Sequence, residues 1–130
     1  MTSHEAASAW ALAGGARPPR LPKGITLPTD RMLVMGILNM TPDSFSDGGR
    51  FFDPGAAYEH AVQMVEAGAD LVDLGGESTR PNSQRISEDE EWERIGATIQ
   101  RLTEAGIVVS VDTLHAITAR RAADAGAAII

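Results

Sequence analysis

Along the chain, short and nearly continuous apolar runs alternate with longer segments whose apolar residues recur every three or four positions. The runs are typical of strands buried on both faces, and the periodic segments are typical of amphipathic helices. The predicted strands are Met32 to Leu38, Leu71 to Leu74, Ile107 to Val111 and the beginning of a fourth at Ala127 to Ile130. The predicted helices follow Asp53, Ser87 and about Leu114, and they end at Gly68, Gly106 and Gly126.

The three predicted helix ends resemble one another: each is an acidic residue, an alanine and a glycine, followed by an apolar run. Glycine suits a helix end because it adopts the left-handed conformation without strain. Alternation of strand and helix predicts βαβ units and a parallel sheet. We therefore expect an α/β fold of the TIM (β/α)8 barrel family. A whole barrel takes ~250 residues, so we expect only about the first three and a half βα units.

In this interpretation residues 31–130 form the truncated barrel segment, and residues 1–30 form a partly disordered N-terminal extension. A small Rossmann-like domain is the alternative fold. A Gly-x-Gly-x-x-Gly turn after the first strand is missing, so a dinucleotide site is not expected.

Composition narrows the possible partners. The net charge of −7 argues against binding to nucleic acid or an anionic membrane surface, and no segment has the ~20 apolar residues of a membrane span. The absence of cysteine excludes disulfides, thiolate metal sites and a cysteine nucleophile. A cytoplasmic location fits that composition.

Three predicted strands lead into polar residues: Asn39, Asp73 and Asp112. Carboxyl ends of parallel barrel strands meet at a common mouth, where barrels carry their chemistry. Asn and Asp are also common where a strand turns into a helix. For Asp73 we expect a structural role as an internal hydrogen-bonding partner. For Asp112 we expect a buried carboxylate that binds a flat heterocycle through adjacent ring N–H and amino groups.

The loop after the second strand runs from Gly75 to Pro81. Its two glycines allow a ligand to approach the backbone, and Arg80 offers a planar fork suited to phosphate oxygens. Alone, this motif is weak, and an ordinary solvated loop is about as probable. Its position beside a second glycine-rich loop favours an anion site.

The loop after the first strand holds candidate metal and substrate residues. Asn39 offers an oxygen that suits Mg²⁺, which takes few protein ligands. Asp43 could orient water or metal or simply close a turn, and Phe45 could cover an aromatic substrate or tuck beneath the loop. Elsewhere, we expect His115 and the acidic stretch Glu88 to Glu93 to be solvated helix positions.

The segments Leu38 to Gly49 (LNMTPDSFSDGG), Asp73 to Pro81 (DLGGESTRP) and Ser110 to Thr113 (SVDT) resemble three motifs of dihydropteroate synthases. The resemblance covers about Met32 to Ile130. It implies a TIM barrel that often works as a homodimer and uses Mg²⁺. The implied reaction joins 6-hydroxymethyl-7,8-dihydropterin diphosphate to 4-aminobenzoate, giving 7,8-dihydropteroate and diphosphate in folate biosynthesis, with sulfonamides as competitors.

The resemblance also implies roles for single residues. Asn39 is expected to bind Mg²⁺ and diphosphate, and Thr79 and Arg80 to meet the diphosphate. Asp112 is expected to bind the pterin ring. The remaining three residues are expected to shape the aminobenzoate pocket or, for the aspartate, to take part in catalysis; they are Asp43, Phe45 and Pro81.

Two other functions stay open. One is a related pterin-binding methyltransferase-type barrel, which would have no reason to keep a diphosphate loop. The other is a non-catalytic paralogue. Later segments of the family, with further pterin-binding residues, do not occur in these 130 residues. We therefore expect the chain alone to be inactive.

Overall fold

The computed structural model describes residues 21–22, 24–41 and 53–130. The chain divides into two compact units, of which the first ends at Leu33 and the second is Val34–Ile130. All helices and strands of the described part lie in the second unit. The division at residues 30 and 31 that the sequence indicates stays a prediction.

Strands and helices alternate in the second unit, as the hydrophobic pattern predicts. The strands are β1 (Met35–Asn39), β2 (Leu71–Gly75) and β3 (Val109–Asp112). The helices are α1 (Pro54–Glu66), α2 (Glu88–Glu104) and α3 (Ala116–Asp124).

The three strands form one parallel sheet in the order β1-β2-β3, which confirms the predicted βαβ arrangement. The predicted fourth strand is present as a single parallel bridge between Ser110 and Ile129. Two hydrogen bonds support this bridge: Val111 N–H donates to Ile129 C=O at 3.0 Å, and Ala128 N–H donates to Val109 C=O at 2.8 Å.

Local capping signals explain where the helices begin and end. The Asp53 carboxylate accepts a hydrogen bond from Gly55 N–H at 3.0 Å, and Ser87 Oγ accepts one from Glu90 N–H at 3.1 Å. Both side chains satisfy backbone donors that the first turn leaves unpaired. The three glycines that follow the helices all have positive φ; they are Gly68, Gly106 and Gly126.

One face of the sheet packs against the helices and forms the core. Leu38, Leu74 and Val111 stand in register across the three strands and are almost completely buried. Helix residues complete the core, including Ala61, Ile95, Ile99 and Leu102. Side chains alternate along a strand, so the neighbouring positions face the opposite side. That opposite face carries the polar row described below and the exposed side chains of Met35 and Ile37.

The first strand begins later than predicted. Met32 and Leu33 are exposed, and regular pairing starts only at Met35. Asp70 interrupts the ladder at Val34: its carboxylate accepts from Val34 N–H at 2.8 Å, and its own N–H donates to Val34 C=O at 2.7 Å. An apolar run alone does not reveal this polar closure.

No helix within residues 21–22, 24–41 and 53–130 combines the length and apolar character needed to cross a bilayer.

The core assignment predicts a large difference between two equal truncations. Ile99→Ala removes a fully buried side chain from α2, whereas Ile117→Ala removes one that is 44% exposed on α3. We expect Ile99→Ala to lower the free energy of unfolding by about 2–5 kcal/mol, because it leaves a cavity. We expect Ile117→Ala to change it by much less. Urea unfolding followed by circular dichroism measures both, and equal losses would contradict the assignment.

Candidate functional site

The site begins with strand register. Asn39, Gly75 and Asp112 are direct partners at the carboxyl ends of β1, β2 and β3. Register partners in a parallel sheet project toward the same face. The side chains of Asn39 and Asp112 therefore stand on either side of a glycine, on backbones roughly 10 Å apart at ~4.8 Å per strand.

Gly75 keeps the space between these two side chains open. A Cβ at Gly75 would lie 3.8 Å from Asn39 Oδ1 and 3.9 Å from the Asp112 carbonyl oxygen, so any larger side chain would fill the gap. Asp112 itself is exposed. The expectation of a buried carboxylate is therefore wrong, because Asp112 lies on the sheet face away from the helices.

The loop after β2 is ordered by its own hydrogen bonds. Ser83 N–H donates to Arg80 C=O at 3.1 Å, with Pro81 between them and Asn82 at φ 64°. Proline followed by a residue of positive φ is the signature of a type II turn. Ser78 Oγ accepts from Arg80 N–H at 3.3 Å, and Ser83 Oγ donates to Ser78 C=O at 2.8 Å. The turn fixes the backbone that carries the Arg80 side chain.

A cavity of about 150 Å³, called here the mouth cavity, brings most of the predicted residues together. Among its lining residues are Asn39, Thr79, Arg80 and Asp112. The other lining residues are Thr41, Gly75, Glu77 and Ser78. One arginine, two carboxylates, an amide and several hydroxyls converge here. The arrangement can bind an anion on the Arg80 side and N–H donors on the Asp112 side.

Three predicted site residues are not among the described residues that line this cavity. Asp43 and Phe45 lie outside the described residues, which exclude 42–52. Pro81 is exposed and lines neither cavity described here, and its observed position is in the type II turn.

A second cavity of about 330 Å³, called here the loop cavity, adjoins the first. It lies between the β2 loop, the first turn of α2 and the residues after β3. The two cavities share Glu77, Ser78, Thr79, Arg80 and Asp112. The loop cavity adds Ser83, Arg85, Glu91, Thr113 and Leu114.

Asp73 lies within β2, which ends two residues later at Gly75. The interpretation of Asp73 as a strand-end residue is therefore wrong. Its expected role as an internal partner is confirmed, because it pairs with Ser110 and its side chain is hydrogen-bonded to that serine. Burial raises the pKa of Asp73, the Ser110 hydrogen bond opposes this, and the nearby Asp112 charge adds to the rise.

Sequence reasoning missed two residues in or near the loop cavity. His115 occupies the N-cap position of α3 without a side-chain capping bond. Its Nε2 lies 3.1 Å from Glu77 Oε2, so it is not a solvated helix position. Glu91 is completely buried, so the acidic start of α2 is not uniformly solvated. Glu91 lies four positions before Ile95, on the same helix face, and this spacing was the available signal.

Comparison with known proteins identifies the family of the chain. A family profile described as "Pterin binding enzyme" matches residues 35–130, which is most of the chain. The chain belongs to the pterin-binding enzyme family. The match includes β1, β2 and β3 and therefore every residue that lines the mouth cavity.

Members of this family that are similar to the chain include a dihydropteroate synthase of Bacillus subtilis, 52% identical over 102 residues. That alignment covers 78% of the chain and 36% of the relative. The Yersinia pestis dihydropteroate synthase in a sulfonamide complex has a TM-score of 0.75 and 47% identity, with 81% of the chain and 38% of that protein covered.

The Burkholderia cenocepacia enzyme complexed with 7,8-dihydropteroate has a TM-score of 0.68 and 36% identity, and it covers 85% of the chain and 38% of its own. The chain thus spans little more than a third of the length of these relatives. The predicted fold class is confirmed: the chain is part of an α/β barrel of the pterin-binding enzymes.

The raised pKa of Asp73 predicts a pH-dependent stability. The folded state holds the Asp73 proton to higher pH than the unfolded state, whose usual value is 3.8. Stability associated with this proton is present below that value and is lost as the pH rises through the folded pKa. We therefore expect Asp73→Asn to gain stability relative to the parent chain as the pH rises from 3.8 toward neutrality.

Urea unfolding at a series of pH values measures this difference. Asp124→Asn, at the exposed end of α3, is the matched control. A constant difference between Asp73→Asn and the parent chain at every pH would contradict the burial argument.

Proposed function

We propose that this chain is the first part of a dihydropteroate synthase of folate biosynthesis. The observation that carries the proposal is the shared cavity of Asn39, Thr79, Arg80 and Asp112. One substrate with a flat pterin ring and a diphosphate group needs N–H acceptors and anion-binding donors within reach of each other. The relatives supply the chemical class, since one is described with 7,8-dihydropteroate and another with a sulfonamide drug.

Asp112 binds the pterin ring in this proposal. Its carboxylate is exposed at the end of β3 and accepts hydrogen bonds from adjacent ring N–H and amino groups. Thr79 and Arg80 bind the diphosphate, because a hydroxyl and a planar guanidinium both donate to phosphate oxygens. The type II turn holds the Arg80 backbone before substrate arrives, which lowers the entropic penalty of binding.

The donor set fits a magnesium ion held mainly by its substrate. The described residues contain no group of three or more His, Cys, Asp or Glu side chains able to hold a metal. Mg²⁺ takes one or two protein oxygens and completes its shell with water and phosphate oxygens. Asn39 Oδ1, beside the Gly75 gap, is the protein oxygen we assign to it. The ion would neutralise charge on the diphosphate.

The proposed reaction breaks the bond between the pterin methylene carbon and a diphosphate oxygen. The 4-aminobenzoate nitrogen forms the new bond to that carbon and loses a proton. Arg80 stabilises the negative charge that gathers on the departing diphosphate. Asp112 holds the ring so that the methylene group stays oriented toward the amine. Asp43 as a catalytic group, and Phe45 and Pro81 as parts of the aminobenzoate pocket, stay predictions.

Three further features stay predictions. The family resemblance implies a homodimer and 4-aminobenzoate as second substrate, and the absence of cysteine fits a cytoplasmic location. A methyltransferase-type barrel is the second candidate function, and it would also bind a pterin ring. Diphosphate binding separates the two, because a methyl transfer releases no diphosphate.

The diphosphate assignment predicts the effect of neutralising Arg80. In the presence of Mg²⁺ we expect Arg80→Gln to weaken diphosphate binding about tenfold or more, since it removes a charged hydrogen-bond donor. Arg121→Gln is the matched control, because Arg121 pairs with Asp89 on the helical surface, 3.0 Å away. Isothermal titration calorimetry measures both, and an equal loss in the two variants would count against the site.

Synthase activity is tested in a chimera. Residues 35–130 of this chain replace the matching segment of the Bacillus subtilis synthase, and formation of 7,8-dihydropteroate is followed. We expect an active chimera whose kcat/KM falls about tenfold or more with Asp112→Asn, which loses a charged acceptor. Asp124→Asn in the same chimera is expected to be silent. A folded chimera that binds pterin without turnover would favour a non-catalytic relative.

A further inference from the structure

The first two turns of α2 are attached to both loops of the site through different side chains. Arg94 Nη1 donates to the Gly76 carbonyl at 2.8 Å, at the start of the β2 loop. Glu91 Oε2 accepts from Thr113 Oγ1 at 2.8 Å, next to Asp112. Glu91 and Arg94 are three residues apart, which places them on neighbouring positions of one helix face.

Each attachment is itself held in place. Glu90 Oε1 accepts from Arg94 Nη2 at 2.6 Å, which orients the guanidinium toward Gly76. Thr113 Oγ1 donates to Glu91 and accepts from His115 N–H at 3.0 Å, so both functions of the hydroxyl are used. Hydrogen bonds of this kind fix direction as well as distance.

Close packing leaves little slack between α2 and the β2 loop. A Cβ at Gly76 would lie 2.9 Å from Ile95 Cγ2 and 3.2 Å from Glu91 Cγ. The helix therefore touches the loop backbone directly, and any side chain at Gly76 would push the two apart. The distance between α2 and the β2 loop is therefore fixed by direct contact.

Glu91 is an unusual residue at a contact between a helix and a loop. It is completely buried, and its second carboxylate oxygen has no hydrogen-bond partner in the described part of the chain. A buried acceptor without a partner destabilises a fold, and an apolar side chain of similar size avoids that penalty. Its presence therefore has to be explained by something other than stability.

We propose that Glu91 and Arg94 are positioning residues that set the distance between Asp112 and the Thr79–Arg80 segment. The inference rests on the proposed function, in which one substrate carries a pterin ring and a diphosphate. Such a substrate binds both subsites at once only if their separation matches its length. Linked groups then bind far more tightly than the separate pieces, because the second contact is intramolecular.

Three probes test this in the full 130-residue chain: 6-hydroxymethyl-7,8-dihydropterin, inorganic diphosphate with Mg²⁺, and the pterin diphosphate that joins them. Glu91→Met keeps the length of the side chain and removes both oxygens. We expect it to weaken the pterin diphosphate about tenfold while leaving the separate pieces unchanged. The midpoint of unfolding should stay the same or rise, because the unpartnered buried oxygen is gone.

Thr113 provides the conservative and disruptive variants of the same contact. Thr113→Ser keeps the hydroxyl and should keep the tight binding of the linked substrate. Thr113→Val removes the hydroxyl and should reproduce Glu91→Met. Thr103→Val is the control, because Thr103 Oγ1 also joins α2 to another segment, donating to Ala125 C=O at 2.9 Å, but at the far end of the helix.

Hydrogen exchange provides a readout that needs no ligand. Thr113→Val and Glu91→Met should speed exchange at the amide of His115, which donates to the Thr113 hydroxyl. Arg94→Met should instead speed exchange in the β2 loop at residues 76–83. Unchanged exchange in all three variants would overturn the proposal.

The binding results have separate consequences. If the variants bind all three probes equally more weakly and also unfold at a lower midpoint, the role of Glu91 is purely structural. That result would overturn the proposal that Glu91 and Arg94 are positioning residues. A parent chain that binds none of the probes would count against the proposed function. In that event the exchange pattern alone supports or overturns the two attachments.

Discussion

Strand register is the constraint on which the rest of this molecule depends. Parallel pairing places Asn39, Gly75 and Asp112 in one row, and the row before it, Leu38, Leu74 and Val111, faces the helices. Because side chains alternate along a strand, a slip of one residue would exchange the polar and apolar rows. Burial of the leucines and the valine therefore fixes the position of the site. The hydrophobic core and the polar row thus lie on opposite faces of the same sheet, and the same strand pairing positions both.

The helix layer supports the site as well as the core. Ile95 and Ile99 of α2 are fully buried against the sheet, while Arg94 and Glu91 of the same helix hold the loops at the strand ends. A loop attached to a helix that is anchored in the core has little freedom to move. Rigid placement of this kind is what a binding site gains from a barrel scaffold.

The charged side chains at the site have different surroundings. The chain has a net charge of −7, yet Arg80 lies among several carboxylates, with Glu77 and Asp112 lining the same cavity. Glu77 Oε2 lies 3.1 Å from His115 Nε2, and burial raises the pKa of Asp73. In the proposed function, Asp112 is the exposed acceptor and Arg80 is the anion-binding group. That function would select a ligand with N–H donors at one end and an anion at the other.

The sequence by itself determined whatever depends on nearby residues. Apolar runs and helical spacing predict the alternation of strands and helices, and Asp53, Ser87 and the helix-ending glycines mark the boundaries, because capping acts within one turn. Only the tertiary structure decided the burial of Glu91 and the pairing of His115 with Glu77. Each of these depends on a partner 22 to 38 residues away. Burial and pairing across such distances arise from packing, which local sequence does not encode.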